Sequence, residues 1–211
     1  MVEMTFEEIE RRLGQKIKLV SEKTPKKYKK ADVGEQIKIA NIEWVVLDKD
    51  KNGNTLCLAL EDVTYVVYGG INKFDARTTN YAESNIRKML NSKILRRITN
   101  DVGKNGLLDI EIDLTALDGR NCFGKVVDKV GLLTYDMYRK YVSIIRMNWH
   151  KAMRWWLATP WTTSEVKWSH AVCCVGAHGD IEPWVCFRAD DYRDFVGTCP
   201  ICYFSSSVFE D

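Results

Sequence analysis

Three apolar runs of strand length follow one another from Ile37: IKIA, IEWVVLD and TLCLAL. They are short, rich in β-branched residues, and the last two are separated by Asn52-Gly53, the pair best suited to a tight hairpin turn. A β-hairpin or meander is therefore expected, and its apolar face must be covered by something else in the chain. With 211 residues and 45% hydrophobic composition there is enough material for a sizeable core, and a single domain is the preferred reading. Nothing recurs at a fixed period, so solenoids and propellers are not expected.

Three helices are signalled around the meander. Thr5 with Glu8 three residues later forms a capping box, Phe6, Ile9 and Leu13 recur at helical spacing, and Gly14 can close the end, which predicts a helix over 6–13. Asn80 with Glu83 is a second candidate cap, and Ile86, Leu90, Ile94 and Ile98 form one apolar stripe, predicting a helix over 82–98 packed on the sheet. Thr134 caps a third helix over 135–145. Between the last two, 99–125 reads as short strands and irregular connections around IEIDLTALDG, and VDKVGLLT reads as one buried strand.

The charge is uneven. Residues 11–30 carry nine Lys/Arg against Glu22 alone, whereas residues 165–211 carry three Lys/Arg against eight Asp/Glu. The basic segment, with Tyr28 among Lys26, Lys27, Lys29 and Lys30, reads as a solvated arm that could touch an acidic partner; no nucleic-acid module surrounds it, so nucleic acid is not an expected partner. No run approaches the roughly 20 apolar residues of a membrane span, and MVEMTFEEIERR is too acidic for a signal peptide. Cytoplasmic synthesis in a reducing compartment follows as an expectation, and the seven cysteines, an odd number, are expected as free thiols.

Six of the seven Trp, all three His and five of the seven Cys lie between Trp149 and Cys202. AVCCV and EPWVCF read as strands flanking the turn Ala177-His178-Gly179-Asp180, and ICYF as a further strand. The segments WWLATPWTT, HAVCCVGAHGDI and GTCPICYFSSSVF resemble, in order and spacing, a large family of bacterial and phage-encoded proteins with a C-terminal domain of unknown function. EWVVLD, SNIRKMLN and DKVGLLTYDMYRKY fit the same pattern upstream, so the resemblance spans roughly 36–209.

The resemblance implies an α+β fold of C-type-lectin-like, formylglycine-generating-enzyme-like type, a twisted antiparallel sheet with flanking helices. Residues 1–35 would be an N-terminal helix and basic arm packed on a domain of 36–211. Members of the family include the variable proteins of diversity-generating retroelements, which implies a phage- or prophage-encoded receptor-recognition protein, assembled into a virion or displayed at a surface. Its hypervariable ligand-binding region would lie at about 155–205. One departure is that Gly197-Thr198-Cys199-Pro200 stands where the family has Gly-Val-Arg-Pro.

Trp and Tyr offer large contact area at small entropic cost, which suits a surface that accepts many ligands. The expected ligand contacts, lying between the matching scaffold segments, are Trp168, His170, His178, Glu182, Trp184, Phe187, Arg188, Asp190, Asp191, Tyr192 and Arg193, with Tyr203 beside them. Trp155, Trp156 and Trp161 are assigned to the core. The ligand is expected to be a protein or a glycan, with homo-oligomers compatible. A second reading places chemistry on the cysteines: Cys199 and Cys202 with Cys173, Cys174, His170 or His178 as a zinc site, or Cys186 or Cys199 as an oxidised or nucleophilic thiol. Only one properly spaced pair exists and no cation but Arg188 is fixed near a thiol, so no cofactor, no metal and no catalysis are expected.

Overall fold

The structure is a computed structural model that describes residues 5–14, 25–63, 74, 78–163, 171–181, 186–188 and 196–210, with the backbone alone at Phe6, Glu7 and 186–188. Helix α1, Phe6–Leu13, starts on the expected box. The Glu8 amide donates to the Thr5 hydroxyl at 3.3 Å, the Thr5 amide donates to the Glu8 carboxylate at 2.9 Å, and Gly14 ends the helix at φ 67°.

Strands β1 (Gln36–Ile39), β2 (Ile42–Lys49) and β3 (Thr55–Ala59) form the antiparallel meander. The β1–β2 turn, Ala40-Asn41, has both residues at positive φ, 53° and 58°, which matches strand twist without a glycine. It is held from outside, because the Ala40 amide donates to Asp101 at 3.1 Å and Arg97 donates to the carbonyls of Ala40 and Asn41 at 3.2 Å each. Lys26, Tyr28 and Asp101 form one knot with this turn. The Tyr28 hydroxyl donates to Asp101, Lys26 pairs with it at 2.7 Å, and the Tyr28 backbone pairs in parallel with Phe209. The basic segment at 26–28 is thus tied to the body through its backbone, Lys26 and the Tyr28 hydroxyl, which differs from the solvated arm that its charge alone suggested.

The stripe Ile86, Leu90, Ile94 and Ile98 is buried throughout, but the helix that carries it differs from the expected one. Asn80 caps only a short turn at Tyr81–Glu83; the long helix starts on Ser84, whose hydroxyl accepts from the Arg87 amide at 3.1 Å. It runs as α2 (Asn85–Met89), a π segment (Leu90–Ile94) and α3 (Leu95–Val102). A strict spacing of four drifts about 40° per step around an α-helix. The wider π turn absorbs that drift and keeps all four side chains on one face.

Strands β4 (Leu107–Leu108) and β5 (Ile110–Asp113) follow, and VDKVGLLT forms two strands, β6 (Lys125–Asp128) and β7 (Val130–Leu132), in different sheets. The break has a cause: Asp128 is turned inward to Arg87, which reaches its two oxygens at 2.8 to 3.1 Å, and Lys129 donates to the Leu107 carbonyl at 2.9 Å. Helix α4, Tyr135–Asn148, begins on Thr134 as expected and lays Tyr138, Tyr141 and Ile145 into the core against β2 and against β8 (Arg154–Pro160).

Strands β9 (Ala171–Val175), β10 (Cys186–Arg188), β11 (Val196–Gly197) and β12 (Pro200–Phe204) complete the described elements. β12 lies inside the first sheet, paired antiparallel to β3 on one side and to β7 and β4 on the other. A second sheet has the order β10-β9-β8-β11. The fold is mixed α+β, several antiparallel sheets with flanking helices. Among the described residues no helix is long and apolar enough to cross a membrane.

Candidate functional site

The second sheet carries most of the expected contact region, and its two middle strands are covered on both faces. Every residue of β9 is buried, as is every residue of β8 after Arg154, so these strands are scaffold. Trp155 packs on Trp149 with ring centroids 5.5 Å apart, and Trp156 meets Phe74 edge-on at 5.7 Å. Between Trp156 and Pro160 β8 carries two more residues than β9 opposite it. That bulge swings the Ala158 amide onto the Leu133 carbonyl at 2.8 Å and the Thr159 hydroxyl onto the Tyr135 amide at 2.8 Å. The first turn of α4 is fixed by the same irregularity.

Where β8 leaves the core, the pattern changes. Trp161 is 37% exposed, contrary to its assignment to the core, while Thr162 beside it is buried. Alternation across an extended backbone gives the reason: inward Thr162 forces the preceding ring outward. The loop at 114–124 lies alongside. Leu117, also 37% exposed, donates its amide to the Pro160 carbonyl at 2.9 Å, and the Trp161 amide donates to the Ala171 carbonyl at 3.0 Å. Thr162 donates to Asp118 and holds that carboxyl below the usual range. The Thr163 hydroxyl sits 3.2 Å from the exposed Cys122 sulfur.

Of the expected contacts, Phe187 and Arg188 lie on β10, opposite Val172 and Ala171. Ala171 therefore stands between Arg188 and Trp161, two strand spacings or about 10 Å apart. His178 is elsewhere. It is exposed in the turn after β9, at the opposite end of the sheet, where Trp149 donates to the Ala177 carbonyl at 3.2 Å and Tyr138 to the Gly179 carbonyl at 3.1 Å.

Tyr203 belongs to the first sheet. It is half-buried on β12 and donates to Asp50 at 2.8 Å; burial first, then the Asp50 carboxylate, push its hydroxyl up to about 12. It lines a cavity of about 270 Å³ with Asp48, Asp50, Asp109 and Glu111. Trp168, His170, Glu182, Trp184, Asp190, Asp191, Tyr192 and Arg193 lie outside the described residues.

The cysteines present apolar surroundings. Cys57, Cys173, Cys174, Cys199 and Cys202 are buried, and burial pushes the Cys57, Cys199 and Cys202 thiols well up. Raised thiols are poor metal ligands and poor nucleophiles, since both roles need the thiolate. Cys199 and Cys202 are three residues apart along extended chain, which turns their sulfurs to opposite faces. Among the described residues no group of three His, Cys, Asp or Glu side chains is placed to hold a metal.

Trp161 and Leu117, two of the exposed apolar residues along with Leu13, Val33, Val127 and Met147, adjoin the end of β8 and were missed by reasoning on the sequence. A signal was present, since Trp161 follows the strand-ending Pro160 and opens the polar run Thr162-Thr163-Ser164. Comparison with protein-family models, with curated proteins and with solved structures finds no match to this chain.

Proposed function

We propose that the chain is a non-covalent recognition protein that presents its ligand-binding surface where β8 and β10 leave the second sheet. The observation that carries this is Trp161: a large ring held one-third exposed at the end of a strand otherwise buried on both faces, with exposed Leu117 hydrogen-bonded alongside. Such an anchor, rigid in its backbone and amphipathic at its tip, is what binding energy concentrates on. β10 adds Phe187 and Arg188 to the same end of the sheet.

We propose further a fold type, an origin and a ligand class. The fold is of C-type-lectin-like type, the region at about 155–205 is the variable part of a retroelement-diversified protein of phage or prophage origin, and the ligand is a protein or glycan. Supporting it are the ordered sequence motifs over 36–209 and the division of the C-terminal third into buried strands and intervening segments. A reverse-transcriptase gene beside this one, with a near-copy of the codons for the last part of 155–205 differing at adenines, is the expected genomic signature.

The direct test uses peptides selected from a random displayed library against the folded chain. Trp161→Ala should weaken their binding by about 2 kcal/mol, roughly thirtyfold, with little change in melting temperature. His178→Ala should leave it unchanged. Selected peptides that bind Trp161→Ala and Leu117→Ser as tightly as the parent would overturn the placement of the surface.

A further inference from the structure

A cleft of about 590 Å³ opens on the far side of the β2–β3 hairpin from Tyr203, between that hairpin, the strap at 26–31 and the turn at Ser206–Val208. Three of its lining residues are lysines, Lys27, Lys30 and Lys49, and none is acidic. The nearest compensation is partial. Lys49 pairs with Asp32 at 2.9 Å, but among the described residues Lys27 donates to the Ser207 backbone carbonyl and meets no carboxylate, and Lys30 has no partner. Asp50, at the root of the hairpin, keeps its negative charge, but its oxygens are taken up by the amides of Asn52 and Asn54, the Asn54 side chain and Tyr203, so it makes no ion pair with the cleft lysines among the described residues.

Neutral donors stand beside the ammonium groups. The Asn52 side-chain amide and the Ser206 hydroxyl line the cleft and make no hydrogen bond among the described residues. Their backbones, by contrast, are held: the Ser206 amide donates to Asn54 at 2.8 Å and the Asn52 amide to Asp50 at 2.8 Å. Gly53 φ is 78°, and a Cβ there would meet Ser206 Cβ at 3.6 Å, so the hairpin tip and the Ser206 turn already touch. The backbone that carries these donors is therefore held in place before any ligand arrives.

From this arrangement we propose that the cleft binds a small ligand carrying clustered phosphoryl groups. Ammonium groups act as point charges on phosphate oxygens, and hydroxyl and amide donors fill the remaining lone pairs. The volume lies in the range of small-ligand sites, and the excess of positive charge is what two or more phosphoryl groups would neutralise. The cleft is built from the first sheet and both chain-terminal segments, so it is independent of the recognition surface around Trp161.

Calorimetric titration at low ionic strength tests it, with inorganic tripolyphosphate as the probe and ATP as the second arm. Saturable one-to-one binding of tripolyphosphate is expected, weakened at least about tenfold by Lys30→Glu and by Lys27→Met, and changed less than about twofold by Lys88→Glu, an exposed residue of α2. Equal affinity for ATP would place recognition on the phosphate chain, and tighter ATP binding would add the nucleoside to the ligand. Lys30→Glu removes no contact made among the described residues, and its melting temperature checks that the fold is kept. Equal binding by Lys30→Glu and the parent, or binding of a single-stranded oligonucleotide without any of tripolyphosphate, would overturn the proposal. The second result would mark a nucleic-acid surface instead.

Discussion

Thr198 is fully buried, and its hydroxyl has no hydrogen-bond partner among the described residues, although its backbone amide donates to Asp62 at 3.0 Å. A buried hydroxyl left unpaired costs about 1–3 kcal/mol relative to an apolar group of the same shape. Thr198→Val keeps the shape and the backbone bond, so it should raise stability by about 1 kcal/mol, read as a higher urea midpoint with an unchanged slope. A second expectation concerns the thiols. In a Cys122→Ser, Cys186→Ser background, the native protein should show no fast reaction with an aromatic disulfide reagent, because the other five cysteines are buried. All five should react once urea has unfolded it. A fast native thiol there would reopen the catalytic and zinc readings.

At the scale of elements, the salt bridge between α2 and the end of β6 decides where a strand stops. Asp128 is 4% exposed at its side chain and Arg87 30%, and the guanidinium engages both carboxylate oxygens while also donating to the Ala82 carbonyl at 2.9 Å. Arg87→Ala leaves the carboxylate buried without its cation and should cost about 3 kcal/mol in chemical denaturation. Arg87→Lys should recover little of it, since an ammonium cannot make the paired contacts.

This contact also explains a limit on reading the sequence. Thr5, Thr134 and Asn52-Gly53 are local signals, and each gave the element expected of it. The division of VDKVGLLT depends on a partner 41 residues away, and the π turn compensates a drift visible only when the whole stripe must face one sheet. Ala40-Asn41 lacks turn glycine because Asp101 and Arg97 hold it from a distance. In the candidate site, the buried Trp155 and Trp156 were legible from pattern, whereas exposed Trp161 was read with them because one motif contained all three.

At the scale of the molecule, Asp101 joins the strap, the first turn of the meander and α3. Burial works against its ionised form, but Lys26, the Tyr28 hydroxyl and the Ala40 amide outweigh it and hold the carboxyl below its ordinary value of 3.8. A lowered folded value means the carboxylate adds stability above the ordinary value and loses it as pH falls through the depressed one. Asp101→Asn should therefore be less stable than the parent at pH 6 and approach it as pH falls through the depressed value. Urea midpoints across that interval are the measurement, and parallel curves would mean that Asp101 contributes nothing through its charge.

The position of β12 also has a meaning for synthesis on the ribosome. β3 meets β12 through pairs such as Cys57 with Cys202, so the first three strands emerge long before the strand that completes their sheet. Until residue 204 has cleared the exit tunnel, the edge of β3 offers unpaired amides and carbonyls, and an open apolar edge invites pairing with other nascent chains. Any interruption of translation before that point should yield an insoluble fragment instead of a smaller folded one.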